Sequence, residues 1–206
     1  MTNTTITAIV FDFGNVLVEW NPRYIYNRFF PNDPEGMERF FKEVDFMGWN
    51  AHQDKGRTFK EGVAAISAQF PHYAHLFQAY HDHWKDSLGE ALWETVEIAK
   101  LLKQKGFPLY GLSNWSAETF PYARQKYGFF NDLFNDCVIS GYVGHAKPEP
   151  EIYSILLERI KRPAHECLFI DDSLPNIRQA NTMGFKTIHF QTPKHLKEEL
   201  TQLGLL

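Results

Sequence analysis

The sequence predicts an α/β protein, a parallel sheet covered by helices on both faces, with a block of helices inserted after its first strand. Three observations predict this. Short apolar runs alternate with helix-period segments along most of the 206 residues, the pattern of βαβ units. Between about Leu17 and Leu88 the strand-like runs vanish and aromatic and charged residues recur at helical spacing. Polar residues stand directly after several apolar runs, where open α/β sheets bind their ligands.

Ile6 to Phe11 is apolar or β-prone, runs into Asp12 and meets Gly14-Asn15, a strand followed by a turn. The segments MERFFKEVDFMGW and FKEGVAAISAQF then read as helices. The expected division is therefore a core made of residues 1–17 and 89–206 with a helical cap at 18–88, placed to act as a lid. ALWETVEIAKLLKQKG returns the chain to the core as a helix with lysines in its last turn and Gly106 as its stop. Three more units follow: PLYGLSN before SAETFPYARQKYG, DCVISGY before PEPEIYSILLERI, and CLFIDD before LPNIRQANTMG. The run KTIHF closes the sheet.

The 44% hydrophobic and 16% aromatic shares supply a real core. A net charge of −4 gives no broad field for a polyanion, which argues against nucleic acid as partner and makes any phosphate site local. Cys137 and Cys167 have no CxxC spacing and read as reduced core residues. The first residues lack a basic stretch followed by a long apolar one, and no window approaches the ~18 apolar residues of a membrane span. A cytoplasmic protein without a membrane partner is expected.

Four polar clusters carry the chemistry: Asp12, Ser113-Asn114, Lys147 and Asp171-Asp172. Each has a plainer reading. Asp12 suits a turn, Ser113 and Asn114 suit a helix start, and Asp172 suits an N-cap before Pro175. Lys147 fits less easily, because a cation just before Pro148 and a first turn with Glu149 and Glu151 opposes the helix dipole unless an anion lies beside it. Two adjacent carboxylates at a strand mouth repel each other unless a proton or cation intervenes. With a third carboxylate from the first strand, a hard oxygen-ligated cation such as Mg²⁺ accounts for them better than caps do. Together the clusters supply a carboxylate nucleophile, a cation site, a hydroxyl with backbone amides and a lysine, the parts of phosphoryl transfer.

These motifs, DFGNVL at Asp12 to Leu17, LSN at Leu112 to Asn114, KP at Lys147-Pro148 and DDSLPN at Asp171 to Asn176, resemble in order those of the haloacid dehalogenase-like hydrolase superfamily. The resemblance spans nearly the whole chain. It implies a Rossmann-like parallel sheet core with an inserted small helical (C1) cap. Within the superfamily the G-N-V form and the D-D-x-x-x-N ending are similar to the branch of sugar-1-phosphate phosphatases, notably those cleaving α-D-glucose 1-phosphate. The resemblance further implies that Asp12 becomes an aspartyl phosphate while Ser113, the Asn114 backbone and Lys147 hold the phosphoryl oxygens. It implies Mg²⁺ held by Asp12, the Gly14 carbonyl and Asp172, with Asp171 close by and Asn176 behind them.

The chain departs from the family pattern at Gly14, where most phosphatases of the superfamily carry an acid. General acid catalysis commonly supplies about 10²–10⁴-fold in rate, so its loss favours a willing leaving group such as an anomeric, acyl or aryl phosphate. The stretch His52-Gln53-Asp54-Lys55-Gly56-Arg57 resembles the substrate-specificity loop of small caps. It makes His52, Asp54 and Arg57 candidates for specificity, and Asp54 or His52 for the missing proton relay. A solvated loop with Gly56 as a helix stop is the plainer alternative. His72, His75, His81 and His83 read as surface or packing residues, and Trp20 and Trp49 as cap core.

The expected partner is a small phosphorylated metabolite, and the expected state a monomer or homodimer. Two other functions are compatible with the sequence: a metal-free 2-haloacid dehalogenase, which leaves Asp171-Asp172 an unexplained negative pair, and a phosphate-ligand binding protein whose only support is Gly14.

Overall fold

A computed structural model describes residues 5–206. Its strands are β1 (Ala8–Phe11), β2 (Val18–Trp20), β3 (Leu88–Ala91), β4 (Leu109–Ser113), β5 (Asp136–Ile139), β6 (Cys167–Asp171) and β7 (Lys186–His189). Five of them form an all-parallel sheet in the order β5-β4-β1-β6-β7. The chain builds outward from β1 in one direction, then crosses it to build in the other. That reversal opens a crevice at the carboxyl end of β1.

Both faces of this sheet are covered, which is why its central strands are continuously apolar. Alternate side chains of β1 enter separate cores. Ala8 and Val10 join Cys167 and Phe169 of β6 beneath helices Pro150–Ile160 and Leu174–Thr182, through Ile152, Tyr153, Leu156 and Ile177. Ile9 and Phe11 join Leu168 and Ile170 beneath helices Trp93–Gln104 and Pro193–Gln202, through Val96, Leu102, Leu196 and Leu200. Each Val, Leu, Ile or Phe among them contributes about 1.5–3 kcal/mol when fully buried. Gly106, at φ 93°, ends helix Trp93–Gln104 where its lysine-rich last turn predicts.

Between β2 and β3 lie helices Pro34–Glu43, Phe46–Asp54, Phe59–Gln69 and Ala74–Asp82, with shorter turns between them. Their starts are locally encoded. Asp33 caps the first by accepting from Gly36 N at 2.8 Å, and Thr58 with Glu61 forms a capping box on the third. The stretch MERFFKEVDFMGW is two helices, broken at Asp45, whose φ of 44° is left-handed and whose side chain caps Gly48 N. Tyr26, Phe40, Phe46, Trp49, Phe77 and Tyr80 pack ring against ring inside this group. Trp49 is anchored there by its indole N–H, which donates to Gly62 O at 3.0 Å.

Two features differ from the expectation. β2 and β3 pair as an antiparallel ribbon where the helical insertion leaves and rejoins the sheet, three and four residues long and too short to show a period. DCVISGY is a strand only as far as Ile139, because Ser140–Val143 turns into a short helix that faces the segment after β4. No helix among the described residues is long and apolar enough to cross a membrane. Cys167 is buried and Cys137 half-buried, and burial pushes their thiols up to about 11 and about 12. His81 stacks on Phe59 and His72 lies 3.8 Å from Glu43, both on the surface.

Candidate active site

Three neighbouring strands end in the crevice. β1 leads into Asp12, β4 ends on Ser113 and β6 on Asp171. Because Phe11 pairs with Ile170, and Asp12 N donates to Ile170 O at 2.9 Å, the register brings Asp12 beside Asp171. Lys147 arrives from the loop after β5 and lies between them. Its ammonium is 2.9 Å from Asp12 Oδ1 and 2.7 Å from Asp171 Oδ2, and its side chain is fully buried. A buried lysine persists only with such partners. This placement also explains why a cation can precede helix Pro150–Ile160: its charge turns inward instead of facing the helix start.

Asn114 holds the lysine in place. Its amide donates to Lys147 O and its carbonyl accepts from Lys147 N, both at 2.8 Å. Asp171 is engaged on every side, accepting from Ser173 N at 2.8 Å and from Asn176 Nδ2 at 3.0 and 3.1 Å. Asp172 is different. The helix that follows takes Ser173 as its N-cap, so the Asp172 carboxylate caps nothing and remains open to the cavity.

The charges do not balance. Asp12, Asp171 and Asp172 bring carboxylate oxygens within 4.8 Å of one another, and Lys147 is the cation among them. Burial raises the Asp12 carboxyl most, Lys147 lowers it, and the two other carboxylates raise it again. Asp172 is likewise raised, by burial and by Asp171. Burial works against the Lys147 charge, yet Asp12 and Asp171 outweigh it and hold the ammonium above its ordinary value. Two surplus negative charges at this spacing fit an oxygen-ligated divalent cation, with Gly14 beside Asp12 in open space. Next to them the Ser113 hydroxyl is buried with no hydrogen-bond partner among the described residues, as is the indole N–H of Trp115. An orphaned hydroxyl at the foot of a cavity suits an anion's oxygen.

The cavity above, about 390 Å³, is lined from the core by Asp12, Gly14, Ser113, Asn114, Lys147 and Asp172. Across it lie Met47, Asn50, Ala51 and Asp54 of one helix, with Trp20, Trp84 and Trp115 at the sides. Of the three loop candidates, Asp54 lines the cavity. His52 is exposed and does not line it, and Arg57 is turned back onto its own segment, donating to Gln53 Oε1 at 2.6 Å and Trp49 O at 3.1 Å. Trp20, expected in the cap core, forms cavity wall. Sequence reasoning did not find Asn50, Trp84 or Trp115. Trp115 directly follows LSN and had a signal in that position; Asn50 and Trp84 reach the cavity only through tertiary packing.

The sequence profile of the haloacid dehalogenase-like hydrolases matches residues 6–184, and the chain belongs to that family. It is 26% identical over 208 residues to the sesquiterpene phosphatase AstK of Aspergillus oryzae, covering 97% of each chain. It is 22% identical over 202 residues to the drimenol cyclase DrtB of Aspergillus calidoustus, covering 96% of this chain but 36% of that one, so it spans about a third of that relative. Among solved structures, the magnesium complex of a HAD family enzyme from Bacteroides thetaiotaomicron superposes with a TM-score of 0.69, at 25% identity over 91% of this chain and 94% of that one.

Proposed function

We propose that the chain is a phosphatase of small phosphomonoesters in which Asp12 is the nucleophile. The observation that carries this reading is Asp12 at a strand end, bonded to buried Lys147, beside the partnerless Ser113 hydroxyl. Asp12 attacks phosphorus to form an aspartyl phosphate, Ser113 and Lys147 hold the phosphoryl oxygens, and Asn114 fixes Lys147 through its backbone. Mg²⁺ is the proposed cofactor, held by Asp12, Asp172 and the Gly14 carbonyl, while Asp171 orients Lys147. When bound it neutralises charge on the transferring group.

The proposed division is a core of residues 1–17 and 89–206 and a cap of 18–88, with the β2–β3 ribbon at the seam. A small cap of this kind, the G-N-V motif and the absence of an acid at Gly14 support a sugar phosphate such as α-D-glucose 1-phosphate. The apolar wall of Trp20, Met47, Trp84 and Trp115 favours a second reading, an isoprenoid phosphate, in keeping with the likeness to a sesquiterpene phosphatase. A cytoplasmic enzyme working as a monomer or homodimer completes the proposal.

Phosphate release with Mg²⁺ from a panel holding glucose 1-phosphate, farnesyl phosphate and an aryl phosphate tests it. Turnover should fall to background in Asp12→Asn and in EDTA. Turnover that survives Asp12→Asn sinks the covalent mechanism. Dehalogenation of a 2-haloacid persisting in EDTA, without phosphate release, assigns the chain to carbon chemistry instead.

A further inference from the structure

Transfer of a phosphoryl group to Asp12 places the departing oxygen in line on the far side of phosphorus, away from the core. That side of the cavity is the wall formed by helix Phe46–Asp54. An alkoxide leaving there needs a proton. The titratable side chains lining the cavity are Asp12, Lys147, Asp172 and Asp54. The first is the nucleophile, the second is bonded to Asp12 and Asp171, and the third faces the proposed cation. Gly14 has no side chain to offer. Resting on the phosphatase reading, the geometry points to Asp54, at the end of helix Phe46–Asp54, as the acid that protonates the leaving group and the base that later activates water.

The surroundings of Asp54 suit the task. One oxygen, Oδ2, accepts from Asn50 Nδ2 at 2.9 Å, and Asn50 Oδ1 accepts in turn from the Tyr80 hydroxyl at 3.0 Å. This chain fixes the carboxyl in one orientation. The Asp54 backbone carbonyl accepts from Ser140 Oγ, which itself accepts from Trp115 N at 2.8 Å, so the residue is tied to the core beside the phosphate cradle. Lys55 and Glu149 form an ion pair of their own at 2.5 Å across the same seam. Among the described residues the hydrogen bond to the Asp54 carboxyl comes from the neutral amide of Asn50, and the helix presents its negative end there. Burial raises the carboxyl to about 8, outweighing the Ser116 backbone N–H that lowers it, so it holds its proton at neutral pH. The titratable groups facing it are Tyr80 from helix Ala74–Asp82 and, across the cavity, Asp12, Lys147 and Asp172.

The steps balance. Asp12 forms an O–P bond as the ester O–P bond breaks, and the Asp54 proton passes to the departing oxygen, leaving an alcohol and the Asp54 carboxylate. Water then attacks the aspartyl phosphate, giving up a proton to Asp54 as the Asp12–phosphorus bond breaks. Hydrogen phosphate leaves with both carboxyls restored. The acid thus comes from the cap instead of from position 14, which widens the range of leaving groups that Gly14 alone would allow.

The test is the leaving-group dependence of single-turnover rates with Mg²⁺. Asp54→Asn, which keeps the size of the side chain, should slow an alkyl or sugar phosphate by about 10²–10⁴-fold, the usual worth of a general acid. With p-nitrophenyl phosphate, whose phenolate leaves unprotonated, formation of the aspartyl phosphate should change by less than about tenfold, while its hydrolysis slows. Asp54→Glu should restore part of the alkyl rate. Equal losses on both substrates, as from a merely structural role, would overturn the assignment, and so would no loss on either. Wild-type turnover that is abolished by Asp12→Asn establishes the phosphatase reading independently; its absence removes both.

Discussion

Side chains around Ser113 separate the needs of folding from those of binding. Its hydroxyl is buried without a partner, and an unmet buried hydroxyl costs about 1–3 kcal/mol. Ser113→Ala should therefore leave stability unchanged or raise it by up to about 1 kcal/mol in urea unfolding. The same change should weaken inorganic phosphate or vanadate roughly tenfold or more, since one charge-assisted hydrogen bond is worth about 1.5–3 kcal/mol. A loss of stability with unaltered anion affinity would place the hydroxyl in the fold and not in the site. Residues of this kind were legible in the sequence because strand ends in an α/β sheet converge, so Asp12, Ser113 and Asp171 could be put together without knowing any distance. Asn114 was legible only in part. Its position could be read, but its two hydrogen bonds to the Lys147 backbone depend on a loop arriving from 33 residues away.

Among the elements, the segment after β4 and the short helix Ser140–Val143 after β5 meet beside the proposed phosphate site. Gly141 N donates to Trp115 O at 3.1 Å, and a Cβ at Gly141 would meet Ala117 N at 2.3 Å and Trp115 O at 2.7 Å. These are backbone atoms that cannot swing aside. Gly141→Ala should push the loop carrying Asn114 and Trp115 off its seat, costing about 1–3 kcal/mol of stability as an overpacked contact does. Turnover should fall with it, and a crystal structure would show the loop displaced; an unchanged melting temperature and rate would mean that the loop is not seated by this contact. Nothing in DCVISGY announces that role. Its apolar texture predicts a strand through Tyr142, whereas contact with the neighbouring segment turns the chain at Ser140. The β2–β3 ribbon escaped for a related reason, since three or four residues carry no period and gain their pairing from the chain closing on itself. The five parallel strands and the helices between them were legible because each has enough residues to show its period and its stops, as Gly106 does.

For the whole molecule, folding brings the Asp12 carboxylate, which an unfolded chain keeps apart, up to the neighbouring pair Asp171-Asp172. Asp12 follows β1, the central strand, and Asp171-Asp172 stands at the end of its neighbour β6, so their repulsion acts across the pairing of these two strands. A divalent cation that binds the folded chain alone relieves it and stabilises by mass action, about 2.7 kcal/mol at a hundredfold excess over Kd. In a chain of this size each kcal/mol moves the melting temperature by about 2–4 °C, so saturating Mg²⁺ should raise it by roughly 5–10 °C. Ca²⁺ tolerates looser geometry than Mg²⁺ and should also stabilise, without supporting turnover. Asp172→Asn removes the carboxylate that has no other partner, so it should abolish the Mg²⁺-dependent rise while leaving the metal-free melting temperature equal or higher, because one source of repulsion is gone. Scanning calorimetry of both proteins, with and without Mg²⁺, checks the argument. A rise of the same size in Asp172→Asn would mean that the stabilising ion sits elsewhere than between β1 and β6.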